Sequence, residues 1–195
     1  MYGINEKERR MKRFILGLIF GVLIIPVGAY FYFSTGSAPV ATSAPPLPFE
    51  KRLARMALDA HIKKEAPNTP ALPVNDANLL AGVPIYQQHC AVCHGLPGQQ
   101  PTAIAKGMFP KPPPLFHGKG VTDDPATETY WKAANGIRLT GMPGFKGSLS
   151  DNELWQVSLL LATADKLPAA VHSALSGSGA TAKESTPAAK SGHKK

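Results

Sequence analysis

Both cysteines of this 195-residue chain lie in one pentapeptide, Cys90-Ala91-Val92-Cys93-His94. A CxxC pair followed directly by histidine is typical of covalent haem attachment, in which the thiols become thioethers on the porphyrin and the imidazole binds the iron. A thioredoxin-like redox pair would need a βαβ setting, and a zinc site would need a second pair of ligands. The sequence offers neither context. We therefore expect one haem c, bound covalently by Cys90 and Cys93, with His94 as the proximal iron ligand.

The formal net charge of +8 belongs to the ends of the chain. From Asp76 to Lys166, seven basic residues are balanced by seven acidic ones. A nucleic-acid-binding surface would need an excess of Lys and Arg on the folded part, so we expect no nucleic-acid partner. The 19 prolines and 18 glycines indicate one small domain with irregular flanks rather than a multispanning membrane protein.

A membrane segment is predicted near the N-terminus. Residues 14–33 form a run of twenty residues without a charge, preceded by five basic residues within 1–13. Twenty helical residues span a bilayer, and the basic flank should stay in the cytoplasm. A cleaved signal peptide, cut near Val27-Gly28-Ala29, is the alternative. Both interpretations export the rest of the chain, and we favour a single-pass anchor in the bacterial inner membrane with the haem domain in the periplasm.

Residues 34–75 are predicted to be a linker that contains a helix at about 49–66. That helix has a narrow stripe of apolar or small residues at helical spacing. The stripe consists of Phe49, Leu53, Met56, Ala57 and Ala60. It would pack on the domain or lie on lipid, and a solvated stalk helix is the alternative.

Residues 76–167 are predicted to form the folded domain. Asn75 or Asp76 caps a helix that runs to about His89, in which Gly82 permits close approach of another helix. The proline-rich stretch 95–124 is expected to be loop, and 125–135 a helix. Ser150-Asp151-Asn152-Glu153 is a capping box for the last helix. Residues 168–195 contain few large apolar residues, so a disordered basic tail is expected there.

The second axial ligand of the iron separates an electron carrier from a gas-binding or catalytic haem protein. Met142 is the leading candidate because it lies in Gly141-Met142-Pro143-Gly144, where glycine permits close approach and proline stiffens the loop. A thioether ligand raises the reduction potential of the iron. Met108 and His117 are the alternatives.

Groups around the haem are also predicted. A proximal imidazole usually donates its second N–H to a backbone carbonyl, and one residue of the proline-rich loop would supply the acceptor. The candidates are Pro110, Pro112, Pro113 and Pro114. Trp131 and Arg138 are candidates for hydrogen bonds to the haem propionates.

Over residues 76–167 the chain resembles the class I monohaem cytochromes c. The resemblance is carried by Gly82-x3-Tyr86-x3-Cys90-x2-Cys93-His94-Gly95, Trp131 to Ile137, Gly141-Met142-Pro143 and Leu154-Trp155-x-Val157. It implies an all-α cytochrome c fold of three to four short helices around one covalent haem. The first and last helices would cross near Gly82, Tyr86 and Trp155, and His94 and Met142 would be the axial ligands. Within that family the chain is similar to bacterial membrane-anchored carriers and to cytochrome subunits of respiratory complexes.

The sequence therefore predicts a one-electron carrier of a bacterial respiratory chain. It would be no enzyme, with no catalytic residues and no small-molecule substrate, and its partners would be a redox donor and acceptor protein. The alternatives are a non-catalytic cytochrome subunit of an oxidase or dehydrogenase complex, and a haem enzyme or gas sensor with a displaceable sixth ligand.

Overall fold

Helices supply the regular secondary structure of the computed structural model, which describes residues 6–116 and 124–177. No strand occurs within those ranges, which confirms the all-α expectation. The helices are α1 (Glu6–Ser34), α2 (Glu50–Glu65), α3 (Asp76–His89), α4 (Ala91–His94), α5 (Ala103–Gly107), α6 (Ala126–Asn135), α7 (Asp151–Ala162) and α8 (Ala169–Gly177). The chain divides after Pro48 into two compact units, the first containing α1 and the second all the other helices.

The first unit consists chiefly of α1, a helix of 29 residues in which none is buried. At ~1.5 Å per residue it exceeds the ~30 Å hydrocarbon thickness of a bilayer. Its length and hydropathy qualify it as a candidate membrane span, and a signal sequence would share those properties.

The core of the second unit is built where α3 crosses α7. A Cβ atom added to Gly82 would lie 2.6 Å from the backbone oxygen of Gln156 and 3.2 Å from Cβ of Leu160. The two helices therefore touch through their backbones, as the sequence predicted for Gly82. Apolar side chains on both sides of this contact are almost completely buried, among them Leu79, Val83, Tyr86, Val157 and Leu160.

Helix α7 also packs against α6. It begins with the predicted capping box: the backbone N–H of Glu153 donates to Ser150 Oγ, and that of Ser150 donates to Glu153 Oε2. Trp155, which the resemblance places at the α3–α7 crossing, stacks on Tyr130 of α6 with the ring centroids 4.1 Å apart. The Tyr130 hydroxyl donates a hydrogen bond to Asp151, in the first turn of α7.

The prediction of a disordered tail from residue 168 is wrong for its first part, since 169–177 form α8. Val171 and Leu175, one turn apart, are fully buried, and α8 packs against α3. The side-chain amide of Gln87 joins the two helices, because its Nε2 donates to the backbone oxygen of Ala174 at 3.1 Å. Two buried apolar residues suffice to pack so short a helix on the domain. They are too few to change the average composition of residues 168–195, on which the prediction is based. Residues 178–195 lie outside the described part.

Helix α2 belongs to the same unit as the domain and packs on α6. Ile62 is 4% exposed, and the Trp131 indole N–H donates to Glu65 Oε2 at 3.2 Å. The predicted apolar stripe is not the packed face: Leu53 and Met56 are 56% and 61% exposed. The stripe was expected to pack on the domain or to lie on lipid. The domain packs against the other side of the helix, which carries Ile62, and the stripe stays exposed.

Gly82→Ala tests the close contact of α3 and α7. The added methyl group meets backbone atoms of α7 that cannot move aside, so we expect the free energy of unfolding to fall by about 1–3 kcal/mol or more. Gly107→Ala is the matched control, because a Cβ atom at this helical glycine would meet nothing within 4 Å. Its effect should be small. Denaturant unfolding of the two variants measures the difference, and equal stabilities would contradict the backbone contact.

Tyr130→Phe tests the link between α6 and α7. The hydrogen bond to Asp151 and, less, partial burial raise the pKa of Tyr130 from 10.0 to about 12. Because folding raises this pKa, the Tyr130–Asp151 hydrogen bond stabilises the folded state fully below pH 10. That stabilisation is lost as the pH rises through about 12. We expect the variant to lose at most about 1 kcal/mol at neutral pH, since water competes at this partly exposed site. Unfolding titrations of variant and wild type should converge between pH 10 and pH 12, and a constant difference would refute the assignment.

Candidate haem site

The Cys-x-x-Cys-His segment is a single helical turn that continues directly from α3. The Cys90 N–H donates to the Tyr86 carbonyl at the end of α3, and the His94 N–H donates to the Cys90 carbonyl, both at 2.9 Å. In a helical turn, residues three and four apart lie on the same side. The turn therefore presents Cys90, Cys93 and His94 toward one side of the backbone.

The two cysteines are free thiols and are half-buried. Burial, and to a smaller extent the neighbouring Cys93, raises the pKa of Cys90 to about 12. A paired set of unoxidised, partly sheltered thiols on one side of a turn fits the attachment of a porphyrin through two thioethers.

The His94 imidazole is oriented by the proline-rich loop. Its Nδ1 lies 2.8 Å from the backbone oxygen of Pro113, which can only accept, so Nδ1 carries the proton and donates. This selects Pro113 among the four prolines that the sequence left open. Burial lowers the pKa of His94, and the Pro113 hydrogen bond opposes that shift. The neutral imidazole then has Nε2 left as the nitrogen that can bind iron.

Tyr86 joins the end of α3 to the exit of the attachment turn. Its hydroxyl donates to the backbone oxygen of Gly95 at 2.5 Å, and its ring meets Phe116 edge to face at 4.8 Å between centroids. Gly95 has φ +76°, a backbone conformation that favours glycine. The chain therefore leaves the turn sharply, and a buried tyrosine holds it there.

Thr102 is a positioning residue that sequence reasoning missed. Its hydroxyl donates to the Val92 carbonyl at 2.6 Å and accepts from the Ala105 N–H at 3.1 Å. It thus caps α5 and ties this helix to the attachment turn. The available signal was a threonine at a helix N-cap position, which a five-residue helix makes hard to recognise.

Met142 lies half-buried on a short loop that returns to the end of α6. The loop is closed by hydrogen bonds from the Ile137 N–H to the Met142 carbonyl at 3.2 Å and from the Met142 N–H to Thr140 Oγ1 at 3.1 Å. Leu139, at the tip, has φ +62° and is 93% exposed. A non-glycine residue in this region is strained, which is common at functional loops.

Two glycines clamp the base of this loop. A Cβ atom on Gly136 would lie 2.5 Å from the backbone nitrogen of Gly144, and one on Gly144 would lie 2.7 Å from the carbonyl of Asn135. The N–H groups of Phe145 and Lys146 then donate to the carbonyls of Ala133 and Ala134, at 2.9 and 3.1 Å. The last carbonyls of α6 are thereby satisfied, and the loop is fixed to a helix end.

The contacts of the other predicted site residues do not assign them a role at the haem. Met108 is half-buried, and its methyl group lies where a side chain on residue 141 would be, so it packs against the Met142 loop. The indole N–H of Trp131 donates a hydrogen bond to the Glu65 carboxylate. Arg138 is exposed on the loop, and the propionate contacts of both residues stay predictions. His117 lies outside the described residues.

The residues present fit a c-type haem. Two free thiols on one side of a turn and an imidazole with a fixed tautomer are the groups that attach such a haem and bind its iron, and Met142 offers a thioether as a candidate second ligand. An all-helical unit with this attachment turn is a c-type cytochrome domain, and such a domain transfers electrons through its haem.

The match to a family model agrees with this class. Residues 77–159 match the family described as cytochrome c oxidase, cbb3-type, subunit III. No curated protein matches the chain. Among solved structures, a chain of the Kuenenia stuttgartiensis reducing HAO-like protein complex Kustc0457/Kustc0458 is 28% identical, with a TM-score of 0.43 over 50% of this chain and 47% of that chain. The present chain thus spans about half the length of that protein.

Gly144→Ala tests the clamp below Met142. The methyl group would press on the carbonyl of Asn135 and displace the loop, so we expect about 1–3 kcal/mol of destabilisation. If Met142 binds iron, the sulfur-to-iron charge-transfer band should weaken as well. Gly147→Ala, where a Cβ atom would meet nothing within 4 Å, is the control three residues further along. Absorption spectra and unfolding titrations report both effects, and an unchanged Gly144→Ala protein would show that the clamp is not needed.

Proposed function

We propose that this chain is a membrane-tethered electron carrier that holds one haem through Cys90 and Cys93, with its iron ligated by His94 and Met142. It works in a bacterial respiratory chain on the periplasmic side of the inner membrane. The observation that carries the proposal is the fixed imidazole: the Pro113 carbonyl holds the Nδ1 proton of His94 and leaves Nε2 for iron.

When bound, the haem supplies a one-electron Fe(III)/Fe(II) couple. The chain's own residues position the ligands and tune the potential. Pro113 keeps the His94 tautomer constant. The hydrogen bond also makes the imidazole more basic and therefore a stronger ligand for iron. The clamp at Gly136 and Gly144 holds the Met142 thioether on a loop with little freedom, so that the soft sulfur favours the reduced iron. No acid or base need move a proton.

The location rests on α1 and on the segment after it. An uncleaved α1 would anchor the chain, and the basic residues at its N-terminal end, within 7–13, favour retention of that end in the cytoplasm. The haem domain then works close to membrane-bound partners, because a tether raises their effective concentration. Since its charges balance between Asp76 and Lys166, docking relies on apolar contact more than on long-range steering.

A second candidate function is a non-catalytic cytochrome subunit of an oxidase or dehydrogenase complex. The family match at residues 77–159, whose description names an oxidase subunit, favours it. Purification from native membranes in mild detergent separates the two functions. A carrier elutes alone, whereas a subunit elutes with stoichiometric partners.

Met142→Ala tests the ligand pair, with Met108→Ala as the matched control. We expect Met142→Ala to lose the sulfur-to-iron charge-transfer band, to have a lower reduction potential and to bind carbon monoxide tightly when reduced. Met108→Ala should keep the band and, like the wild type, resist carbon monoxide. Absorption spectroscopy and a redox titration measure these changes.

The two variants also distinguish the alternatives. Loss of the band in Met108→Ala alone would make Met108 the ligand. Tight binding of carbon monoxide by the wild type would instead favour a gas sensor or haem enzyme.

A further inference from the structure

Helix α2 has two apolar sides, and the domain covers only one of them. Leu53, Met56 and Ala60 lie within one narrow sector of the helix. Ile62 and the half-buried Leu58 lie about 150–170° away around the axis. Ile62 is buried by the domain, whereas Leu53 and Met56 are more than half exposed. Phe49, just before the helix, is also exposed, at 71%. Large apolar side chains grouped in this way on a surface indicate a binding face.

The charges beside this exposed face are chiefly basic. Arg52, Lys63 and Lys64 border it, all three exposed and within about 75° of its centre. The nearest acids, Glu50 and Asp59, lie further round, about 90° from the centre on its two sides. An apolar stripe with a basic border is the pattern of a helix that lies in the interface of an anionic lipid bilayer.

The connection to α1 keeps this face near a membrane. Residues 35 to 49 separate the end of α1 at Ser34 from the start of α2 at Glu50. Fully extended, these fifteen residues reach at most ~50 Å. If α1 is anchored, α2 is thus confined to a layer next to the bilayer, where even a modest affinity for lipid keeps it bound.

We propose that the exposed face of α2, formed by Phe49, Leu53, Met56 and Ala60, lies on the anionic lipid surface beside the anchor. The proposal rests on the anchored form of the proposed function. Because Ile62 and the Trp131–Glu65 hydrogen bond attach α2 to α6, the lipid contact also orients the haem domain on the membrane. Helix α2 then acts as a platform rather than as a flexible stalk.

Thiol accessibility in nanodiscs tests the proposal with the full-length holoprotein. Cys90 and Cys93 are consumed by the haem, so a cysteine introduced by Met56→Cys is the one reactive thiol. Ala54→Cys, exposed on the other side of the same helix, is the matched control. In nanodiscs that contain phosphatidylglycerol, we expect a water-soluble maleimide to modify residue 56 about tenfold more slowly than residue 54. Pure phosphatidylcholine, or Arg52→Glu with Lys63→Glu, should reduce that protection.

Each other result has a distinct meaning. Equal rates at residues 54 and 56 in both lipids would overturn the platform while leaving the anchor intact. Protection of residue 56 in native membranes but not in nanodiscs would also overturn it and assign the face to a protein partner. Failure of the protein to remain with the nanodiscs would instead overturn the anchored form of the proposed function.

Discussion

The site depends first on how α3 and α7 touch at Gly82. With no side chain at this position, the backbone of α3 rests against the Gln156 carbonyl, which fixes both the distance and the rotation of α3. Tyr86 and Cys90 follow Gly82 at intervals of four residues, on the same side of the helix. The contact that fixes the position of Gly82 therefore also fixes the position of Tyr86. Since the Tyr86 hydroxyl is hydrogen-bonded to Gly95, the same contact determines the orientation of the attachment turn. A larger residue at this crossing would turn or lift the helix that carries the haem.

The Met142 loop is likewise held by a close approach of two backbone segments at glycines. Gly136 and Gly144 let two backbone segments meet, and the end of α6 accepts the N–H groups that follow the loop. The orientation of His94 likewise comes from a backbone carbonyl, that of Pro113. Both proposed iron ligands are thus positioned by backbone groups rather than by mobile side chains. Preorganised ligands of this kind suit electron transfer, since they need not move when the charge of the iron changes.

Local signals predicted most of the fold. The capping box at Ser150 and the N-cap of α3 depend on residues near in sequence, and the close approach at Gly82 is signalled by a single glycine; all three are present. The buried sides of α2 and α8 were missed because tertiary complementarity decides them: the stripe that looked suited to packing on α2 is exposed. Pro113 shows the same limit. Four proline carbonyls are chemically equivalent in the sequence, and the course of the loop alone selects one.

The exposed side of α2 bears directly on function. A flexible linker gives a haem domain reach but leaves its orientation random, so many encounters with a partner would present the wrong side. The domain's balanced charge gives little electrostatic steering to correct this. A helix that packs on the domain through Ile62 and on lipid through Met56 would supply orientation by geometry instead. It would also restrict reach, because a domain seated on the membrane serves partners within the same plane. Under this proposal, the two-sided helix would favour electron exchange with membrane-bound partners over exchange with freely diffusing ones.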